Sequence, residues 1–178
     1  VVLPSADVVD YNSGIASMAA NVTANAPVSV FAVIENGLRS ENACILPVPL
    51  LGNKYYVMDY PSPYSTSDFM VIAQGENGCH DSVEIIPTQT LASGAPAGVP
   101  FIVVLQPGEV YLAKSHSDLT GSMVQSLNHS ETAVIAGGED GSVGSCAGTV
   151  NPFFEEMFPV NTWGENYVFL PTPHAEDV

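Results

Sequence analysis

The chain has 178 residues, of which 46% are hydrophobic and only 12% charged, a size and composition suited to a domain with a substantial core. Three basic residues stand against nineteen acidic ones, so the formal net charge is −16, which argues against nucleic acids and anionic membranes as partners. The apolar runs are much shorter than the roughly 20 residues of a membrane-spanning helix, and we expect no transmembrane segment.

Short apolar runs recur along the chain and predict an all-β fold. Each run has the length of a strand, is rich in β-branched and aromatic residues, and is bounded by Gly, Pro, Asn or Ser. This spacing favours an antiparallel β-sandwich-like domain, with a propeller or a barrel as the alternative. In chain order the predicted strands are 28–34, 55–58, 69–73, 83–86, 101–105, 110–112, 133–136 and 167–170.

Two of these runs, 28–34 and 101–105, are apolar at both odd and even positions, which predicts central strands covered on both faces. Pro107 and Gly108 occupy the central positions of a type II turn, where proline presets φ and glycine supplies a positive φ. We expect this turn to join its flanking strands as a hairpin. The turn at 75–78 is expected to do the same between the strands before and after it.

One short helix is predicted near residues 152–157. Asn151 is a suitable N-cap, Pro152 suits the first helical turn, and Pro159 would end the helix. The acidic pair Glu155 and Glu156 lies within the same segment.

An internal repeat links the two ends of the chain. Residues from about 15 to 60 are echoed from about 120 to 171, most clearly where 49–57 is matched by 159–169. We therefore expect a single all-β domain over residues 1–178, built from β repeats of roughly a hundred residues. The second copy is incomplete, which predicts that the polypeptide continues or that copies pack between subunits.

The residues that could carry out chemistry are scattered. The nearest local cluster for nucleophilic catalysis is Ser115-His116-Ser117-Asp118, without a GxSxG nucleophile elbow, and a polar loop is the favoured interpretation. No histidine or cysteine spacing suits zinc. Glu139 and Asp140 are weak candidates for calcium, because they lack the alternating acids of an EF-hand loop. We expect no enzyme activity and no cofactor.

The aromatic residues offer a candidate contact surface. Tyr60 and Tyr64 lie on a loop that also carries two prolines, and tyrosine provides large, rigid contact area at low entropic cost. An ordinary crossover loop is the alternative interpretation. Trp163, which precedes a glycine as Leu51 does, is predicted to pack in the core.

Several motifs together resemble the IgGFc-binding domain family, which is found in a mucus protein and in large bacterial surface proteins. The most specific are Asp118-Leu119-Thr120-Gly121 and the Thr-Trp-Gly motif at 162–164 within 155–164. The other matching segments are 27–30, 45–57, 83–87 and 107–112, so that the resemblance extends from about residue 15 to residue 171. It implies a secreted or surface-displayed β domain, and it does not by itself imply binding of IgG.

The cysteines depart from the family pattern. Members of the family tend to carry a cysteine pair before the Thr-Trp-Gly motif, whereas this chain has only Cys146 there. Cys44 and Cys79 are candidates for a disulfide if their strands are neighbours, which would leave Cys146 as a free or intermolecular thiol. Asn21 and Asn128 lie in Asn-x-Ser/Thr sequons and are candidate glycosylation sites.

These observations lead to two main hypotheses of function. The first is a non-enzymatic extracellular or cell-surface domain that binds a protein or a glycan through loops at one end of a β scaffold. The alternative is a structural subunit that assembles with copies of itself into a filament or sheath by strand addition. A secreted hydrolase is a distant third, resting only on general Ser, His and Asp content.

Overall fold

The structure, a computed structural model, describes residues 14–17, 19–36, 39–60, 65–74, 78–141 and 150–168. The described part is all-β, as predicted, and contains no α-helix. Its strands are β1 (Gly14–Ala16), β2 (Val30–Asn36), β3 (Arg39–Ile45), β4 (Lys54–Tyr56), β5 (Ser67–Ala73), β6 (Asp81–Ile86), β7 (Phe101–Leu105), β8 (Val110–Ser115), β9 (Met123–Ser126), β10 (Thr132–Gly141) and β11 (Asn151–Glu156). Short 3-10 turns lie at Val48–Leu50 and Val160–Thr162.

The strands form two antiparallel sheets and a separate hairpin. The five-stranded sheet has the order β1-β8-β5-β10-β11, and the four-stranded sheet has the order β4-β9-β6-β7. The hairpin consists of β2 and β3, which pair from Val30 with Ile45 to Asn36 with Arg39. The predicted sandwich-like arrangement is therefore confirmed.

The main core lies between the two sheets. β5 and β6 alternate buried with half-buried residues, the period-2 pattern of strands that have one face in a core. Phe69 and Val71 on β5 share this cluster with Val83 and Ile85 on β6, and all four side chains are fully buried. Burying each such side chain contributes about 1.5–3 kcal/mol of hydrophobic free energy.

The β2–β3 hairpin covers the opposite face of the five-stranded sheet. Ala43 of the hairpin forms a second, smaller cluster with Ile135 and Phe154. At the end of the hairpin, the Leu46 N–H donates a 2.6 Å hydrogen bond to the buried Glu156 carboxylate. Burial raises the pKa of Glu156 and this hydrogen bond opposes the rise. The five-stranded sheet is thus the middle of three layers.

The prediction of two central strands was wrong. β2 pairs only with β3 among the described residues, and its outward-facing Phe31 and Val33 are 61% and 65% exposed. β7 is the edge strand of its sheet, so Ile102 and Val104 are exposed as well. Neither apolar outer face is covered by a further layer of the described residues, and a run of apolar residues does not reveal this.

The predicted hairpins were also wrong, although the turn at 106–109 forms as expected. Gly108 has a φ of +79°, and the Glu109 N–H donates to the Gln106 carbonyl over 2.9 Å. However, β7 pairs with β6 and β8 pairs with β5, so this turn carries the chain from one sheet to the other. β5 and β6 also lie in different sheets, and residues 75–77 of the turn predicted between them lie outside the described residues.

The predicted helix near 152–157 is a strand, β11. Pro152, Phe154 and Glu156 alternate as its buried residues, and long-range pairing with β10 overrides the local helix signals. The pairing register shifts between Gly138 and Gly141, the place where Pro152 lies. A proline is tolerated at such an irregularity because it has no N–H for a regular ladder.

Glycines on β10 allow the close approach of β11. A Cβ built on Gly137 would lie 1.9 Å from the Phe153 carbonyl oxygen, and one built on Gly141 would overlap the Phe153 ring. The contact at Gly137 involves backbone, which cannot rotate away as a side chain can. Any other residue at this position must push the two strands apart.

We predict that Gly137→Ala destabilises the fold by about 2 kcal/mol or more, the cost of overpacking a rigid contact. Urea denaturation followed by circular dichroism measures this loss. Gly164→Ala is the matched control, since a Cβ there meets only ordinary contacts at 3.5 Å and beyond. Equal stabilities of the two variants would contradict the assigned strand contact.

Candidate binding surface

Residues 54–60 begin as β4, an edge strand of the four-stranded sheet, and present alternate side chains to the core and to solvent. Tyr55 and Val57 point into the core and are 0% and 2% exposed. Tyr56, Met58 and Tyr60 face outward and are 39%, 71% and 38% exposed. The segment therefore places three large side chains on one outer edge of the sandwich.

Further aromatic side chains extend this edge. The Trp163 ring lies 6.0 Å from the Tyr56 ring, and its indole N–H donates to the Phe158 carbonyl over 3.2 Å. At the other end, the Phe153 ring lies 5.5 Å from the Tyr60 ring. We name this set the aromatic surface; it consists of Tyr56, Met58, Tyr60, Phe153, Phe158 and Trp163.

The buried Tyr55 hydroxyl anchors the start of the segment. It donates to the Thr132 carbonyl over 2.5 Å and accepts from the Gly52 N–H over 2.8 Å. Burial raises the pKa of Tyr55 to about 12, and the hydrogen bond from Gly52 opposes this rise. The neutral hydroxyl can therefore donate and accept at once, which joins the first residues of β4 to the start of β10.

The Asp-Leu-Thr-Gly motif holds the end of the segment. The Asp118 carboxylate accepts from the Thr120 N–H over 2.8 Å, which shapes the turn, and Leu119 is fully buried. The Thr120 hydroxyl donates to the Asp59 carbonyl and accepts from the Asp59 N–H, both over 3.0 Å. This two-way contact fixes the backbone between Met58 and Tyr60.

Backbone hydrogen bonds add to this clamp. The Gly121 N–H donates to the Val57 carbonyl over 2.8 Å, and the Val57 N–H donates to the Ser122 carbonyl over 2.9 Å. Gly121 has a φ of +86°, a conformation that favours glycine and explains the last residue of the motif. The motif therefore positions the aromatic surface rather than forming part of it.

The carboxylate of Asp59, within this same segment, is partly buried. The Asp59 side chain accepts hydrogen bonds from the Ser67 hydroxyl and, over 2.7 Å, from the Tyr60 N–H. The Ser67 hydroxyl in turn accepts from the Leu119 N–H over 3.0 Å. Burial raises the pKa of Asp59 to about 6, and the nearby Asp118 and Asp68 carboxylates add to the rise while the hydrogen bonds oppose it.

The outcomes for the predicted aromatic residues differ. Tyr60 lies on the aromatic surface, and Tyr64 lies outside the described residues. The prediction that Trp163 is a core residue was wrong, because it is 53% exposed, whereas Leu51 at the equivalent position is 5% exposed. Tyr56 and Met58 were missed, although the alternation in 55–58 contains the signal that separates them from the core.

The predicted cysteine and calcium residues are not brought together. Cys44 on β3 and Cys79 before β6 are free and exposed, so the structure does not join them, and Cys146 lies outside the described residues. Asp140 forms an ion pair with Arg39, and the side chain of Glu139 is not described. Within the described ranges, no three His, Cys, Asp or Glu side chains form a group able to hold a metal.

The serine and histidine cluster does not form a catalytic arrangement in the described part. The Ser115 hydroxyl donates to the Thr90 carbonyl over 3.0 Å and accepts from the Ser117 N–H over 3.2 Å. His116 is exposed and bonds to neither a serine nor an acid there, while His129 lies 3.1 Å from the Asn53 side-chain amide.

The two sequon asparagines lie on the surface. Asn21 and Asn128 are both exposed, and the Asn128 side-chain oxygen Oδ1 accepts a hydrogen bond from the Ser82 N–H over 2.8 Å. Their glycosylation stays a prediction. Separately, none of the helical segments in the described residues is long and apolar enough to span a membrane.

An exposed aromatic edge of this kind is typical of an interaction site. The family model described as IgGFc binding protein matches residues 41–178, and this chain therefore belongs to the IgGFc-binding family. The human protein named IgGFc-binding protein is 34% identical over 139 residues. That alignment covers 75% of this chain and 2% of the relative, so the chain spans a small part of it. No solved structure matches the chain.

We predict that the stability of the domain falls as pH rises from about 4 to about 7, in part because of Asp59. Its pKa is about 6 in the folded chain, above the 3.8 of an ordinary aspartate side chain, so the folded state holds the proton more tightly than the unfolded state through this window. Asp59→Asn should remove on the order of 1 kcal/mol of this pH dependence, a value reduced for partial exposure.

Urea denaturation at intervals between pH 4 and pH 7.5 measures the effect. Glu165→Gln, which changes an exposed carboxylate, is the matched control and should leave the slope of stability against pH as it is. A slope for Asp59→Asn parallel to that of the parent chain would refute the assignment.

Proposed function

We propose that this chain is a non-enzymatic extracellular binding domain that recognises a protein partner through the aromatic surface. The observation that carries the proposal is the adjacency of Tyr56, Met58, Tyr60 and Trp163, all substantially exposed, along one edge of the sandwich. Clustered exposed apolar side chains mark interaction sites, and tyrosine and tryptophan supply much of the binding energy in protein interfaces.

The rigidity of the segment supports this assignment. The Tyr55 hydroxyl anchors one end of residues 54–60, and the Thr120 hydroxyl clamps the other. A surface held in place before binding loses little conformational entropy when a partner docks. The surface is thus suited to specific recognition rather than to general adhesion.

Charge narrows the kind of partner. The chain has three basic residues. Arg39 is paired with Asp140, and Lys114 is buried against Asp68. The Lys54 ammonium lies at the aromatic surface, 5.8 Å from the centre of the Tyr56 ring. The rest of the chain is strongly acidic, so a partner with a basic rim around an apolar centre would associate fastest. Family membership supports a protein as the partner, and the relative is itself named for binding IgG Fc.

Binding experiments can test the proposal directly. The intact chain is applied to immobilised IgG Fc fragment, to a panel of extracellular proteins and to a glycan array. We expect a protein to bind, and we expect Tyr56→Ala and Trp163→Ala each to weaken that binding at least tenfold, the effect of truncating an interface hot spot.

Phe31→Ala is the matched control, since Phe31 is an aromatic residue with 61% exposure on the separate β2–β3 hairpin. We expect this variant to bind as the parent chain does. Loss of binding in Phe31→Ala but not in the aromatic-surface variants would overturn the assigned surface, and binding to glycans alone would overturn the protein partner. Binding to a panel protein but not to Fc would support the proposal with a different partner.

A structural subunit that assembles by strand addition is the second candidate, and edge strand β7 favours it. Residues 101–105 contain neither a charge nor a proline, the usual protections of an edge, and Ile102 and Val104 are exposed. If this is the function, sedimentation velocity will show concentration-dependent assembly of the parent chain, and Ile102→Lys will abolish it. A monomer at all concentrations would exclude this candidate.

A further inference from the structure

The 3-10 turn near the end of the described chain repeats the first in sequence and in backbone conformation. The segment beginning at Pro47 aligns without a gap to the one beginning at Pro159, with Pro, Val, Gly and Tyr shared at the same interval. Pro47 has φ −68° and ψ 146°, and Pro159 has φ −69° and ψ 153°. The residue after each turn is also extended, with φ −72° at Leu51 and −69° at Trp163.

The same hydrogen bonds recur in both copies of this segment, the first copy being residues 47–56 and the second residues 159–168. The N–H after the turn donates to the Val48 carbonyl over 3.0 Å in the first and to the Val160 carbonyl over 3.2 Å in the second. The Gly52 N–H donates to the Tyr55 hydroxyl over 2.8 Å, and the Gly164 N–H donates to the Tyr167 hydroxyl over 2.6 Å. Both segments therefore adopt the same local structure.

The two copies differ in what covers them. Tyr55 is 0% exposed and donates to the Thr132 carbonyl, and the strand that contains it pairs with β9. Tyr167 is 73% exposed and Val168 is fully exposed. No described residue pairs with 166–168 as a strand or accepts a hydrogen bond from the Tyr167 hydroxyl. The second copy therefore has the backbone conformation and internal hydrogen bonds of the first, but no described residue supplies it with a pairing strand or a carbonyl acceptor for the tyrosine.

The second copy also lies directly against the beginning of the first. A Cβ built on Gly52 would be 2.6 Å from Pro159 Cβ and from Asn161 Oδ1. Only glycine permits this approach, so Gly52 serves as the contact point between the copies. The strands that follow the first copy, β5 to β11, are completed just before Pro159.

We infer that Gly164–Val168 is the pairing edge of a second sandwich unit. The strand that pairs with this edge is an antiparallel strand from the rest of that second unit, which follows along the chain and is equivalent to Met123–Ser126 of β9. That unit also supplies a backbone carbonyl, equivalent to that of Thr132, to accept the Tyr167 hydroxyl proton. The first copy indicates which groups these are. It has the same backbone conformation and the same tyrosine, and there β9 pairs with the strand while the Thr132 carbonyl accepts the Tyr55 hydroxyl proton. The inference does not depend on the aromatic surface having a ligand.

A tandem chain tests the inference. Residues 1–168 are followed directly by residues 57–168, which keeps the repeat interval and gives the second copy β5 to β11 to follow it. We expect the second unit to fold, and we expect the amides of residues 164–168 to exchange with deuterium at least a hundredfold more slowly than in the parent chain.

A chain with 1–168 joined to 58–168 is the control, because it deletes the counterpart of the buried Val57 and puts that of the outward-facing Met58 in its place directly after the strand. In the correct tandem, Tyr167→Phe should reduce the exchange protection of residues 164–168 at least fivefold, because it removes the hydroxyl that bonds this segment to the following strands. Unprotected amides in the correct tandem, or equal protection in the shifted control, would overturn the inference. Neither result bears on the binding of a partner, which the aromatic-surface variants test separately.

Discussion

A single hydroxyl group organises the part of the molecule on which function depends. Tyr55 is fully enclosed between the sheets, and its hydroxyl joins the Gly52 N–H to the Thr132 carbonyl. A buried phenol is costly to desolvate unless both its donor and its acceptor capacity are used, so this geometry is closely constrained. The outward direction of Tyr56, and with it the aromatic surface, follows from where Tyr55 must point.

The Asp-Leu-Thr-Gly and Thr-Trp-Gly motifs act on the same segment from two sides. Thr120 binds both backbone groups of Asp59, whereas Trp163 lies across the ring of Tyr56. These two motifs were the most specific part of the family resemblance, and neither contains a group placed for catalysis. Their role is to position residues 54–60.

Much of the strand content could be predicted from the sequence, while the partners of the strands could not. The Pro107–Gly108 turn was placed correctly because its conformation depends on two neighbouring residues. Its flanking strands nevertheless enter different sheets, since pairing of β8 with β5 is a long-range choice. The helix predicted at 152–157 failed for the same reason: the glycines of β10 admit β11 closely, and no local pattern in 151–157 contains that information.

The sequence by itself determined the all-β class, the acidic surface, the family and the resemblance between residues 49–57 and 159–169. These properties depend on composition, on alternation and on short motifs, all of which are local. Only the tertiary structure decided which apolar residues are covered: Tyr55 is enclosed and Tyr167 is exposed, although both sit in the same local structure. The physical reason is that burial depends on the strand that arrives from elsewhere in the chain, and a residue's own neighbours do not specify that arrival.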